Sequence, residues 1–241
     1  VTRVDANIPD MDQSIVSVTA DVRGPLPEVL GIVNGSPLAA MTEHALAQTL
    51  ATGVADYKFK LNLPLDNMDA STVQGSVMLA GNDVQISPST PKLLRARGPI
   101  NFTDSGFSLA GVQARMLGGD VRLDGGWLAE PVAAKGPVAA RAPAAMVIRA
   151  SGTASADGLR QATELGFVAR LAQNASGSAA YTAVLGFRRG EPELQVFSNL
   201  QGLSLGLPAP FNKSAEAPLP LRLETALLRD SWLPGPDGQV R

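Results

Sequence analysis

The residues able to do chemistry are few and scattered. The chain has one histidine, His44, and no cysteine. His44 stands beside Glu43 in a stretch of helical spacing, with no visible catalytic partner. One imidazole without thiols is too thin a ligand set for zinc. The Gly-x-Ser-x-Gly elbow of a serine hydrolase is absent. "DNMDAS", Asp66 to Ser71, is acidic but lacks the ligand spacing and the later glutamate of a calcium loop, and it reads as a turn between strands. "GNDVQ" reads as a bend. "LGFRRGEPE" places Arg188, Arg189, Glu191 and Glu193 around a glycine turn, the pattern of a solvated hairpin tip. No glycine loop is followed by Lys-Ser/Thr, so no nucleotide is implied. The expectation is a non-enzyme with no catalytic residue, no metal and no cofactor. A hydrolase is the one catalytic class kept open.

Composition narrows the partners. The chain has 241 residues, of which 45% are hydrophobic and only 5% aromatic. That is enough apolar content to fold, carried mostly by Ala, Leu and Val. The formal net charge is −2 with both signs interspersed, so no nucleic acid is expected. The lack of cysteine fits an oxidising compartment and a cytosol alike. No apolar run approaches the roughly 20 residues of a membrane span, and no signal peptide is seen. The chain opens on Val1 and closes on the loop-like "PGPDGQVR", so it reads as an internal section of something longer.

Two stretches have helical character. In Gly24 to Gly53, Ser36 can cap a helix with Pro37 at its first position, and Leu38, Met41, Ala45, Leu46, Thr49 and Leu50 follow helical spacing. In Ser155 to Gly177, Asp157 is the candidate cap and Leu159, Ala162, Leu165, Val168, Ala169 and Leu171 form one stripe.

Most of the rest alternates with a period of two. Tyr57, Phe59, Leu61, Leu63 and Leu65 interleave with Lys58, Lys60 and Asn62. Val73, Val77 and Leu79 continue the idea. At Gly81 the phase flips, and Val84 and Ile86 carry the new one. Phe107 and Leu109 share a phase, Gly111 breaks it, and Val112, Ala114 and Met116 resume. A glycine that shifts such a pattern by one residue reads as a β-bulge. Gly118-Gly119 falls between two alternating runs and is assigned to a hairpin turn, with Gly125-Gly126 closing the second strand. The order strand, amphipathic helix, Tyr-bearing strand, strand occurs twice, around Tyr57 and around Tyr181.

A regular greasy face must be buried against something. The candidates are a second sheet, the helices, or an outside ligand. The ordinary option is an internally filled sheet, and the other is a groove left open for acyl chains. Exposing an acyl chain of about 16 methylenes costs roughly 13 kcal/mol at about 0.8 kcal/mol each, which a continuous apolar floor can offset.

Five segments carry a resemblance. "ADVRGPLPEVLGIVNGSPL", "YKFKLNLPLDNMDASTVQGSVMLAGNDVQI", "GPINFTDSGFSLAGVQARMLGGDVRLDGG", "SGSAAYTAVLGF" and "LQGLSLGLPAPFNKSAEAPLPLRL" together resemble the YhdP-like branch of the AsmA-like (AsmA/TamB) envelope proteins, from about Ser17 to Leu223. The resemblance implies a Gram-negative envelope protein with an inner-membrane anchor elsewhere in its chain and a long periplasmic body. It also implies an extended β-sheet with a hydrophobic interior, and a link to phospholipid movement between the membranes and to the outer-membrane permeability barrier.

The expected fold is mainly β with two amphipathic helical segments: a curved, twisted antiparallel sheet forming an open hydrophobic groove, built of two similar units. The units are residues 1–127 and 147–241, joined by an Ala/Pro-rich link at 128–146 into one continuous sheet. Phe59, Leu61, Leu63, Val77, Leu79, Phe107, Leu109, Val121 and Leu123 are the expected groove lining, with Gly81, Gly111, Gly118 and Gly119 as structural glycines. The expected function is a section of a periplasmic lipid conduit whose partners are phospholipid acyl chains. The alternative is a non-catalytic envelope scaffold with an internally filled β core.

Overall fold

The computed structural model describes residues 3–7, 15–35, 46–67, 70–104, 106–128, 145–188 and 191–225. Thirteen strands are β1 (Arg3–Asn7), β2 (Ile15–Pro25), β3 (Leu50–Ala51), β4 (Val54–Pro64), β5 (Thr72–Gln85), β6 (Leu93–Thr103), β7 (Gly106–Met116), β8 (Gly119–Leu128), β9 (Ala145–Ser155), β10 (Ala175–Arg188), β11 (Glu191–Ser198), β12 (Leu203–Leu205) and β13 (Leu221–Thr225). The described residues form three short helices, α1 (Leu26–Asn34), α2 (Ala156–Gln161) and α3 (Phe167–Leu171).

All thirteen strands belong to one open antiparallel sheet, ordered β1-β2-β4-β5-β6-β7-β8-β9-β10-β11-β13, with β3 on β5 and β12 on β10. Each main strand therefore pairs with its neighbour in sequence. The fold is mainly β, as the alternating runs predict, and the sheet does not close on itself. Both helical connections, β2 to β4 and β9 to β10, leave the same end of the sheet, because β2 and β9 run in the same direction.

The two glycines expected to shift phase do so. The β5–β6 register slips between Ala80 and Asn82, at Gly81. The β7–β8 register slips between Leu109 and Val112, at Gly111. Gly111 has φ +67°, which an L side chain rarely adopts, and the Arg122 guanidinium lies over it. Its N–H donates to Asp124 Oδ1 at 2.7 Å, and Asp124 also receives Arg122 Nε at 2.9 Å. The charged residues of this segment thus staple a bulge on the polar face.

Four readings need correction. The hairpin turn is Leu117-Gly118, not Gly118-Gly119: both turn residues have positive φ, 54° and 79°, and Met116 pairs with Gly119. Gly119 is a strand residue, where a Cβ would collide with the Thr153 carbonyl of β9. Gly125-Gly126 lies inside β8, paired with β7 and β9, and does not end it. Leu50 is in strand β3, so no helix reaches Thr49 and Leu50. Among the described residues the helix of that region is α1, which starts directly after Pro25 with a proline in its first positions and Glu28 in its first turn.

The fourth concerns the second helical stretch. Its cap is Ser155, whose Oγ accepts from Gly158 N at 3.0 Å, rather than Asp157. The stripe is broken into α2, a 3-10 turn at Thr163–Leu165, and α3, with Gly166 at φ +54° between the last two. The expected cap Ser36-Pro37, His44 and most of the 128–146 link lie outside the described residues.

Candidate functional site

The register sorts the sheet into two faces. Residues directly opposite across a ladder share a face. Ala20, Phe59, Gly75, Phe102, Phe107 and the Trp127 position form one row across six strands. Val22, Tyr57, Val77, Ile100 and Leu109 form the next. Beyond the bulge, Val112, Leu123, Ala150, Ala183 and Val196 continue the same side. All nine residues expected to line a groove stand on this one face. Lys58, Lys60, Arg115 and Arg122 stand on the other.

The polar face is a ladder of exposed pairs. Lys58 Nζ lies 3.6 Å from Asp21, Arg23 Nε lies 3.7 Å from Asp56, and Arg115 Nε lies 3.6 Å from Asp120. Each is worth at most about 1 kcal/mol. Their main effect is to fix which side meets water, since a slip of one residue would turn every lysine inward.

The apolar face is not uniform along its strands. Towards the helix end it is closed: Ala55, Tyr57, Leu79, Ala96, Val112, Ala114, Val121, Leu123 and Tyr181 are buried in one cluster. Leu26 of α1 belongs to that cluster, and Val29 and Leu30 pack against it. Their spacing of three and four residues is what puts them on one side of α1. Towards the other end the same face is half-buried. Phe59, Leu61, Leu63, Val73, Phe102 and Phe107 are there, and no described helix covers them. Of the nine expected lining residues, Leu79, Val121 and Leu123 thus sit in the packed half. Phe59, Leu61, Leu63 and Phe107 sit in the open half, with Val77 and Leu109 at the border.

An aromatic band floors the open half. Phe102 is directly opposite Phe107, and Gly75 between Phe59 and Phe102 lets both rings close over the backbone. A Cβ on Gly75 would lie 2.7 Å from Phe102 Cζ and 2.8 Å from Phe59 Cβ. This band was not legible as a unit, because the phenylalanines are far apart in sequence and meet only through the register.

Two polar features of the apolar face were also missed. Asn82 is 1% exposed, and its amide bonds the Thr52 carbonyl at 2.8 Å and the Val54 carbonyl at 3.2 Å, while its Oδ1 accepts from Ala80 N at 3.0 Å. Tyr57 and Tyr181 are 5% and 8% exposed, and neither hydroxyl has a hydrogen-bond partner among the described residues. Burial pushes the Tyr181 phenol up to about 12, and burial together with the nearby Asp56 charge raises Tyr57.

Among the described residues no group of three or more His, Cys, Asp or Glu could hold a metal ion. No helix among them is long and apolar enough to cross a membrane. The arrangement offers a surface rather than a reaction centre: apolar floor, polar back, and one end unroofed.

The model of the YhdP protein family matches residues 1–231. The chain belongs to the YhdP family. Membership points, at the level of the family, to lipid transport in the cell envelope. No curated protein and no solved structure matches the chain. For a YhdP-family sheet, the half-open apolar face is therefore the feature to account for.

Proposed function

We propose that this chain is a non-catalytic section of a lipid conduit, in which phospholipid acyl chains lie on the open half of the apolar face. The parent protein would be anchored in the inner membrane, with this section in the periplasm. There it would move phospholipid between the inner and outer membranes and support the outer-membrane permeability barrier. The single observation that carries the reading is the row Phe59, Phe102 and Phe107: large apolar side chains on a sheet face, half-buried, without a described element above them. Contiguous apolar surface of this kind marks a binding site on an otherwise polar protein. The sheet offers hydrocarbon a floor of low selectivity and leaves a charged head free to reach water at the strand ends.

A second reading, a scaffold with an internally filled core, is favoured by the packed half around Leu79, Val121 and Leu123. The two make opposite statements about a buried charge. In an open groove, an aspartate at Leu61 reaches water when no lipid is present but repels an acyl chain. In a filled core it has no water, and the sheet unfolds. Leu61→Asp and Leu109→Asp are to be scored separately for melting temperature and for crosslinking to a photoreactive phospholipid. Folded variants with reduced crosslinking support the conduit. Variants that fail to fold, beside a native chain that captures no phospholipid, establish the scaffold.

A further inference from the structure

The two tyrosines of the chain occupy comparable places. Each lies on the strand that follows a helical connection, Tyr57 on β4 after α1 and Tyr181 on β10 after α2 and α3. Each is more than nine-tenths buried on the apolar face, in one continuous cluster. Each ends in a hydroxyl without an acceptor or donor among the described residues. A phenylalanine would fill the same volume and leave no orphaned polar atom. The hydroxyl is thus a cost of the packing and not a source of it, and the cost is incurred twice, at matching positions.

We propose that the Tyr57 and Tyr181 hydroxyls are hydrogen-bond donors to the ester carbonyls of a lipid lying on this face. The inference rests on the conduit reading and extends it from the open half across the Val77 and Leu109 border, where Tyr57 stands, into the packed half, where Tyr181 stands. A donor set in hydrocarbon selects an acceptor that is itself carried by hydrocarbon. An acyl ester has that chemistry, since its carbonyl oxygen joins an alkyl chain to a glycerol. Small or half-buried partners stand across from each ring, Val22 and Val77 for Tyr57 and Gly152 for Tyr181. Both oxygens are fully buried, so an acceptor reaches either one only when the side chains packed over it part to admit the lipid. Seven strands from β4 to β10 separate the two by about 29 Å along the sheet, at about 4.8 Å per strand step. That is too far for the two carbonyls of one glycerol. The tyrosines are two stations, each reading a separate lipid or a separate moment in its passage.

The test uses the full chain and a short-chain phosphatidylethanolamine in two forms, a diester and the matching diether, which lacks the carbonyls. The native chain is expected to bind the diester about fivefold more tightly than the diether. The double variant Tyr57→Phe/Tyr181→Phe is expected to bind both forms equally, at the affinity of the diether, with a melting temperature no lower than native. Each single variant keeps a preference at the remaining station. Equal binding of diester and diether by the native chain overturns the proposal and leaves the conduit reading standing, as does a double variant that keeps the preference. A native chain that binds neither form overturns both.

Discussion

The Asn82 side-chain amide donates to the Thr52 carbonyl at 2.8 Å, across the step between the β5 bulge and the short strand β3. With Val54 O and Ala80 N also bound, the group has three hydrogen bonds at 1% exposure. The β4–β5 ladder ends at Ala55 and Leu79, and next to that end the Ala80 N–H donates to Asn82 Oδ1. Asn82→Ala is expected to cost about 2–4 kcal/mol, because it leaves backbone groups unpaired inside the sheet. Asn82→Asp should fare little better, since a carboxylate cannot donate to Thr52 and Val54. Chemical denaturation of the two variants reads this directly. A loss below about 1 kcal/mol would mean the bulge holds itself.

Gly119 and Gly31 separate close approach from simple flexibility. A methyl group at Gly119 meets the Thr153 carbonyl, so Gly119→Ala should destabilise by about 1–3 kcal/mol. Gly31 is inside α1 and has nothing within 4 Å of a new Cβ. Gly31→Ala should therefore stabilise, by roughly 0.5–1 kcal/mol. The pair is checked by melting temperature on otherwise identical chains.

The half-packed, half-open face predicts a gradient of tolerance. Leu123→Ala and Leu79→Ala, in the buried cluster, should each cost about 2–4 kcal/mol. Leu63→Ala, half-buried at the far end of β4, should cost about 1 kcal/mol or less. Equal losses at all three sites would show the open half to be covered.

High pH should loosen the fold through the tyrosines. Tyr181 has its ionisation raised from 10.0 to about 12 by burial, so the unfolded chain loses that proton first. Between pH 10 and 12 the folded state holds more protons, and stability falls as pH rises, by up to about 2.7 kcal/mol from this group. Below pH 10 the group has no effect. With only two tyrosines in the chain, tyrosinate absorbance reports on Tyr57 and Tyr181 alone. It should stay low near pH 10 and rise together with loss of sheet signal. A normal titration at pH 10 in the folded state would contradict the burial of both rings.

Strands, bulges and sidedness were readable because each is a property of neighbouring residues. The alternation Tyr57-Lys58-Phe59-Lys60-Leu61 states which side is wet without reference to the rest of the chain. Gly81 and Gly111 were placed by the slip they impose on that alternation. The one-residue difference in the turn has a physical reason: Gly118 serves the turn at φ +79° while Gly119 is a strand residue, and both glycines also lie against β9, at Ser155 and Thr153, an approach that neighbouring residues do not reveal. The start of α1 is marked in the sequence by Pro25, Pro27 and Glu28, while the expected cap at Ser36-Pro37 lies outside the described residues. The buried hydroxyls and the Phe59, Phe102, Phe107 band were not readable, since both arise from pairings between segments.

Strand order equal to chain order has a kinetic consequence. Almost every pairing is between consecutive strands, so the mean sequence separation of contacts is short for a β protein. Loop closure is then inexpensive at each step, and folding should be faster than for sandwiches of similar size, whose strands wait for distant partners. A chain emerging from one end can add each strand to the edge already laid down, in order. Only the newest strand is unpaired at any time, which limits the window for aggregation during synthesis.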